Sequence, residues 1–359
     1  IALTATFTLN IAAGSSLNMS ALDATAANFT RGAHNPSLQY RATSWYQSAG
    51  FDASRVLDPT VINHNGTYLM FYGGMLHWNP MEIGLATSSD GETFTRYSTN
   101  PIIPNDQVGW ADFRVTPGAI FDEGSQFRMF VYGDDRNSYA IGQIGYATST
   151  NGYNWTLASS PVVTNTNTWY DSRINADRGV NLVEVVSLNA EYLMYYNIKG
   201  QEGLYLTRSS DGVSFDVDPY SRVMVPTDFR IVSATVVNED ATPFILATGW
   251  NTDGEQVFAA SVDGLDWQIG TQPIEIGALD VDNQYREMQL TTLMIEDGLL
   301  KAWGERSVGD VTWSYGNTII EYASVTELDW DTMLSDTQVG SQVVPAPGIA
   351  AGLVMFGSI

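Results

Sequence analysis

The chain of 359 residues contains no cysteine. Disulfides, thiolate nucleophiles and sulfur-ligated metals are therefore excluded together. Histidine is almost as scarce: there are only 3, His34, His64 and His77, so a three-histidine zinc site would have to recruit them all. Cations are few as well, with 16 Lys and Arg against 40 Asp and Glu and a formal net charge of -24. A phosphate backbone is held where basic residues outnumber acids, so no nucleic-acid partner is expected. Neutral sugars and divalent cations suit this charge better, although acidity also serves plain solubility in salty water. Long hydrophobic runs are missing too. The apolar stretch at 348–359 is about half of what a bilayer crossing requires.

What is abundant is material for a core. Hydrophobic residues make up 44% of the chain, with 10 Trp, 18 Tyr and 14 Phe, far more than a disordered acidic polymer carries. A repeat organises this material. Arginines recur at Arg55, Arg114, Arg173, Arg230 and Arg286, at intervals of 59, 59, 57 and 56 residues. Each heads a unit of short β-rich runs punctuated by Asn-Gly or Asp-Gly, the local signature of hairpins. In the first unit Asp58-Pro59-Thr60-Val61-Ile62 leads through His64-Asn65-Gly66 to Tyr68-Leu69-Met70-Phe71-Tyr72, then Ile83-Gly84-Leu85-Ala86-Thr87 and a Ser89-Asp90-Gly91 turn before Phe94. In the fifth unit the third run is expected at Val311 to Tyr315, and Gly316-Asn317 replaces the Asp-Gly turn.

The period predicts an all-β fold, a five-bladed β-propeller with four-stranded antiparallel blades over 51–330. Residues 1–50 form an N-terminal extension that can supply a ring-closing strand, with 10–36 read as a wrapping loop. Thr318 to Val325 is expected as the last outer strand, with Thr4 to Leu9 or part of Leu38 to Trp45 beside it. Residues 331–359 form a C-terminal tail. The aromatics after the turns, Phe94, Trp155, Phe215 and Trp267, are expected to pack between blades.

In a propeller the entries to the first strands and the loops joining second to third strands share one rim. The entries hold Arg55, Asp58, Asp112, Arg114, Arg173, Asp177, Arg178, Arg230, Arg286 and Glu287, and the loops add His77, Trp78, Asp135, Trp250 and Glu305. Two readings of the head arginines stand: clamps that tie each blade to an acid, or ligands for an acidic or sulfated sugar. Departures from the repeat point to function. Asp58 is the only carboxylate three residues after a head arginine, Asp177 has no counterpart, and Glu287 is the only Glu directly following one. Glycosidic hydrolysis needs one protonated and one ionised carboxyl, so Asp58, Asp177 and Glu287, with Asp112 in reach, are the candidate catalysts. The remaining arginines with His77, Trp78, Asp135, Trp250 and Glu305 are the candidate substrate ligands, and Trp78, Trp110, Trp169 and Trp250 the candidate platforms for sugar rings.

On Asp58-Pro59-Thr60-Val61-Ile62, Gly66-Thr67-Tyr68-Leu69 and the repeated Ala-Thr-Ser-x-Asp-Gly-type turns, the chain resembles the five-bladed glycoside hydrolases of family 43 and their arabinanase, xylosidase, invertase and mannoside-phosphorylase relatives. The resemblance spans about residues 50 to 325 and implies that Asp58 is a general base. The second aspartate of that pattern, before a proline in blade two, is Thr116 here. Its general-acid glutamate has Asp177 nearest in position, with Glu184 further along the strand. The resemblance also implies that no cofactor is required, while a Ca²⁺ ion fits the clustered oxygens. Val344-Pro345-Ala346-Pro347 resembles the start of a bacterial sorting tail, and a plain Pro/Gly-rich tail is the simpler reading. The expectation is thus a glycoside hydrolase, secreted or at the cell surface of a bacterium, with surface or membrane association through the tail. The alternative is a catalytically silent glycan-binding propeller. A sialidase-type enzyme fits less well, since it wants six blades.

Overall fold

The computed structural model describes residues 15–17, 29–41, 50–76, 80–135, 142–164, 179–198, 204–215, 222–223, 229–238, 243–276, 288–308, 317–325 and 334–336. Among them the regular structure is β, apart from one 3-10 turn at Gly109–Ala111. β1 (Ser15–Leu17) and β2 (Thr30–Arg31) precede four similar runs. The first comprises β3 (Arg55–His64), β4 (Thr67–Met75), β5 (Met81–Ser88) and β6 (Thr95–Arg96). The second comprises β7 (Arg114–Asp122), β8 (Phe127–Asp134), β9 (Gly142–Ser149) and β10 (Thr156–Leu157). The third comprises β11 (Val180–Leu188), β12 (Glu191–Ile198), β13 (Leu204–Ser209) and β14 (Arg222–Val223). The fourth comprises β15 (Arg230–Val237), β16 (Phe244–Trp250), β17 (Gln256–Ser261) and β18 (Gln268–Pro273). β19 (Gln289–Glu296), β20 (Leu299–Val308), β21 (Asn317–Val325) and β22 (Leu334–Asp336) complete the set.

Within each run neighbours pair antiparallel in chain order. The last ladder differs. β19, β20 and β21 pair in order, and its fourth place is taken by β2 from the start of the chain, with Thr30 opposite Ser324 and Arg31 opposite Ala323. The sequence pattern put the closing strand elsewhere. Because β20 pairs along its whole length with Asn317–Val325, that segment is the third strand, and Val311 to Tyr315 lies outside the described residues. Leu38 makes one bridge to Ile320, while Thr4 to Leu9 also lies outside the described residues. The join is fastened by charge: Glu321 is fully buried and accepts from Arg306 at 2.6 Å, and Arg31 of β2 reaches it at 3.2 Å.

Four turns have the same internal wiring. In Ser88-Ser89-Asp90-Gly91 the serine hydroxyl donates to Asp90 at 2.7 Å, Gly91 N–H donates to Ser88 at 2.9 Å, and Thr93 N–H donates to Asp90 at 2.9 Å. The same pattern holds at Ser149/Asn151, Ser209/Asp211 and Ser261/Asp263. Gly91 sits at φ +77°, a conformation that a side chain resists. Each turn throws its following aromatic onto the ladder before it, as the sequence predicts. Trp155 meets Phe71 at 5.3 Å, Phe215 meets Phe130 at 5.8 Å and Trp267 meets Tyr195 at 5.8 Å, all edge-on. Phe94 joins Trp303 and Tyr322 of the last ladder in one core cluster. The turns are stitched across the same seams, since Trp303 donates to Gly91 O at 2.8 Å and Tyr195 to Gly264 O at 2.9 Å.

The core therefore lies between ladders. Removing one seam aromatic should leave a void between two stiff sheets, and Trp155→Ala is expected to cost about 3 to 5 kcal/mol in chemical denaturation. A cost below about 1 kcal/mol would contradict the seam role.

Candidate functional site

The first strands of the five ladders contact one another in a cycle: β3 with β7, β7 with β11, β11 with β15, β15 with β19, and β19 with β3. They enclose a cavity of about 680 Å³ walled by residues 58–61, 116–121, 182–187, 230–236, Gln289 and 291–295, with Tyr132 and Trp250 entering from second strands. All five strands break register near the same depth, at Leu57/Thr60, Pro117/Ile120, Leu182/Glu184, Ile231/Ser233 and Leu290/Thr292. Such bulges bend a strand and re-aim its side chains. Room at the bulge is tight: a Cβ at Gly118 would come within 2.3 Å of Leu182 of the next ladder.

Asp58 sits on the first bulge with φ 47°. The other described non-glycine residues with positive φ are hairpin-turn residues, whereas Asp58 precedes a proline inside a strand, where such a backbone is disfavoured. Strain of this kind costs on the order of 1–3 kcal/mol and collects where function needs it. The bulge is held from the last ladder. Thr292 donates its hydroxyl to Pro59 O, and Asp58 N–H donates to Glu305 Oε2 at 3.4 Å. Glu305 belongs to β20 and stands behind Asp58, outside the cavity wall.

Two wall carboxyls have contrasting surroundings. Both keep some surface toward the cavity while protein crowds their other sides. At Asp58, loss of water and then the charge of Glu305 push the pKa up to about 8. Glu305 is also raised by desolvation, partly offset by the Asp58 N–H and by the positive charge of Arg55. Burial thus raises both carboxyls of this pair, and the charge of Glu305 raises Asp58 further. Glu184, on the bulge of β11, is pushed by desolvation up to about 7. It is opposed by three donors that favour its ionised form: Val185 N–H at 2.9 Å, Ala234 N–H at 3.1 Å and the Ser233 hydroxyl at 3.4 Å.

Of the candidates read from sequence, the cavity wall gathers Asp58, Arg230 and Trp250, with Glu305 directly behind and Arg55 beside Glu305. Asp112 follows the 3-10 turn, its carbonyl accepts from the Asn105 amide at 2.9 Å, and it is not on the wall. Arg114 pairs with buried Asp134 at 3.0 Å, the clamp reading of the head arginines, and Asp135 adjoins that acid. Asp177, Glu287, Arg173, Arg178, Arg286, His77, Trp78 and Trp169 lie outside the described residues. Trp110 is a correction. It is buried against Gly133 and Gly145 and donates to Ala158 O at 2.9 Å, so it is core and not a sugar platform. Phe51 covers Gly74 and Gly84 in the same way, and both aromatics stand four residues before a head arginine, a repeated packing feature. Among the described residues no three His, Asp or Glu side chains gather at one point. No described helix is long and apolar enough to cross a membrane.

Comparison of the whole fold is decisive where sequence is mute: no family model matches the chain, and no curated protein matches it in sequence. A glycosyl hydrolase from Bacteroides ovatus superimposes with TM-score 0.59 at 15% identity, covering 83% of this chain and 93% of that one. The chain has the fold of the propeller glycoside hydrolases. A β-1,2-mannobiose phosphorylase from Listeria innocua gives TM-score 0.58 at 13% identity, over 83% of this chain and 97% of that one. A family 117 glycoside hydrolase from the marine bacterium Zobellia galactanivorans gives 0.53 at 14% identity, over 85% and 92%.

A carboxyl with a raised folded-state pKa stabilises the protein fully below its unfolded value, and that contribution is lost as pH rises through the folded value. For Glu184 the window runs from the ordinary 4.5 up to about 7. The full span corresponds to about 3 kcal/mol, less what cavity water screens. Glu184→Gln should therefore gain on wild type as pH rises from 5 to 8 in thermal denaturation. Parallel curves for the two proteins would mean that Glu184 carries no such burden.

Proposed function

We propose that the five ladders are the four-stranded blades of a five-bladed β-propeller, closed by Thr30–Arg31, and that its axial cavity hydrolyses a glycosidic bond. The observation that carries this reading is the pair Asp58 and Glu184 on one cavity wall, both raised by burial, with the charge of Glu305 raising Asp58 further and three hydrogen-bond donors favouring the ionised form of Glu184. Carboxyls so differentiated take different roles in acid/base chemistry. Asp58, next to the negative charge of Glu305, holds its proton and donates it to the oxygen of the leaving sugar as the C–O bond breaks. Glu184, its charge supported by Val185, Ala234 and Ser233, takes a proton from the water whose oxygen forms the new bond to the anomeric carbon. This exchanges the role that resemblance implied for Asp58, because burial and the neighbouring charge of Glu305 favour its protonated form. Glu305 and Arg55 act through Asp58 and set how readily it gives the proton up. The fold likeness to glycoside hydrolases and a phosphorylase supports a carbohydrate substrate, and export to the cell surface fits a polymer that cannot enter the cell.

A second reading, a propeller that binds glycans without cleaving them, is favoured by Thr116, which lines the cavity where the resembling enzymes carry a second aspartate.

The test is a screen of neutral, uronic and sulfated polysaccharides with product analysis, followed by two variants. Asp58→Asn and Glu184→Gln should each lower turnover of the cleaved glycan by about 100-fold or more, with the fold retained. On an aryl glycoside whose leaving group needs no proton, Asp58→Asn should recover most of its rate and Glu184→Gln should not. The opposite recovery would exchange the two roles, and full rate in both variants would refute the site. Tight binding to oligosaccharides recovered intact would favour the second reading.

A further inference from the structure

We infer that Arg230 and Trp250 form a subsite for a sugar that carries an oxyanion, a carboxylate or a sulfate ester. This rests on the reading of the cavity as a glycan site.

The three described head arginines differ in what neutralises them. Arg55 lies in the field of Glu305, and Arg114 is held by Asp134 at 3.0 Å. Arg230 is exposed, lines the cavity, and has no acidic partner among the described residues. Among the described residues it is therefore a cation with no neutralising acid, inside a cavity otherwise furnished with carboxyls, in a chain of net charge -24. Its neighbour narrows the ligand class. Arg230 is directly opposite Trp250 in the β15–β16 ladder, so the two side chains leave the sheet on the same face. Trp250 is partly exposed and also lines the cavity. A guanidinium supplies a forked donor set for a carboxylate or sulfate, and an indole supplies a flat apolar face for the C–H side of a pyranose. A neutral sugar would leave the cation unused, and a bare inorganic anion would leave the indole unused. The subsite also answers an electrostatic difficulty, because Glu184 repels an anionic ligand that has no cation to meet it.

The decisive measurement is calorimetric titration of full-length Glu184→Gln protein, which holds substrates uncleaved, with matched oligosaccharides that are neutral, uronic or sulfated, and with inorganic phosphate. The same series is run with Arg230→Ala and Arg230→Lys added, each checked for native thermal melting. The expected result is a preference for one acidic series over the neutral one, lost by roughly tenfold or more in Arg230→Ala, partly kept in Arg230→Lys, and weakened by salt. Equal binding of neutral and acidic sugars that is unchanged in Arg230→Ala would overturn the subsite while leaving the glycan reading intact. Phosphate binding that depends on Arg230, with no preference among the sugars, would overturn the sugar-borne anion in favour of a free one. Absence of binding by every saccharide would remove both the subsite and the glycan reading.

Discussion

The structure depends on one constraint: a four-stranded antiparallel ladder has two faces, and both must be covered by the ladders beside it. The aromatic that follows each Ser-x-Asp/Asn-Gly turn satisfies that constraint on one side. Phe94, Trp155, Phe215 and Trp267 each cross the seam into the preceding ladder. Repetition of this contact leaves no sheet with an uncovered face and brings the first strands together around a cavity. The geometry of the cavity wall is downstream of that packing. Asp58 and Glu184 come from the first and third ladders, whose first strands both contact β7, and the two carboxyls line one cavity.

The bulges turn the packing into a site. A strand at constant register would point alternate side chains at the axis, and the axis would fill with whatever residues the core selects. A break at the same depth in each first strand releases that rule for one or two positions. Asp58 uses the release at the expense of backbone strain, and Glu184 uses it to collect three hydrogen bonds from its own strand and the next. Thr292 and Glu305 reach the first bulge from the last ladder, so the strained residue is braced by chain more than 230 positions away.

The parts of this arrangement that repeat were legible in the sequence. The hairpin turns, the aromatics after them and the all-β class follow from local chemistry, and local chemistry is visible in a single chain. The head arginine shows the limit. Its period located the entry to each first strand, yet Arg114 is a clamp and Arg230 faces the cavity, a difference set by which acid happens to lie nearby in space. Glu184 was ranked behind Asp177 for lying further along the strand, and strand alternation gives no phase across a bulge, where one unpaired residue reverses which face a side chain takes. Trp110 misled for the complementary reason: a large aromatic at a rim entry reads as exposed until the glycines beneath it, Gly133 and Gly145, are known to be there. That the N-terminal extension lends a strand to the last ladder was legible, but which residues do so was not, since two residues carry no periodicity.

That closing strand has a consequence for how the molecule comes into being. Arg31 and Glu321 are separated by 290 positions. A ribosome would release β2 early and its partner β21 only near the end of the described chain, so the first segment must wait, unpaired, while four ladders assemble beside it. Entropy penalises the closing of so long a loop only weakly, because the cost grows with the logarithm of its length. What the delay does impose is order: the last ladder cannot be finished before β21 has emerged and met β2. Until it is, the edge of β21 is an open template that another chain could occupy, and the buried Arg31–Glu321–Arg306 cluster is the feature that makes the molecule's own N-terminal segment the better occupant.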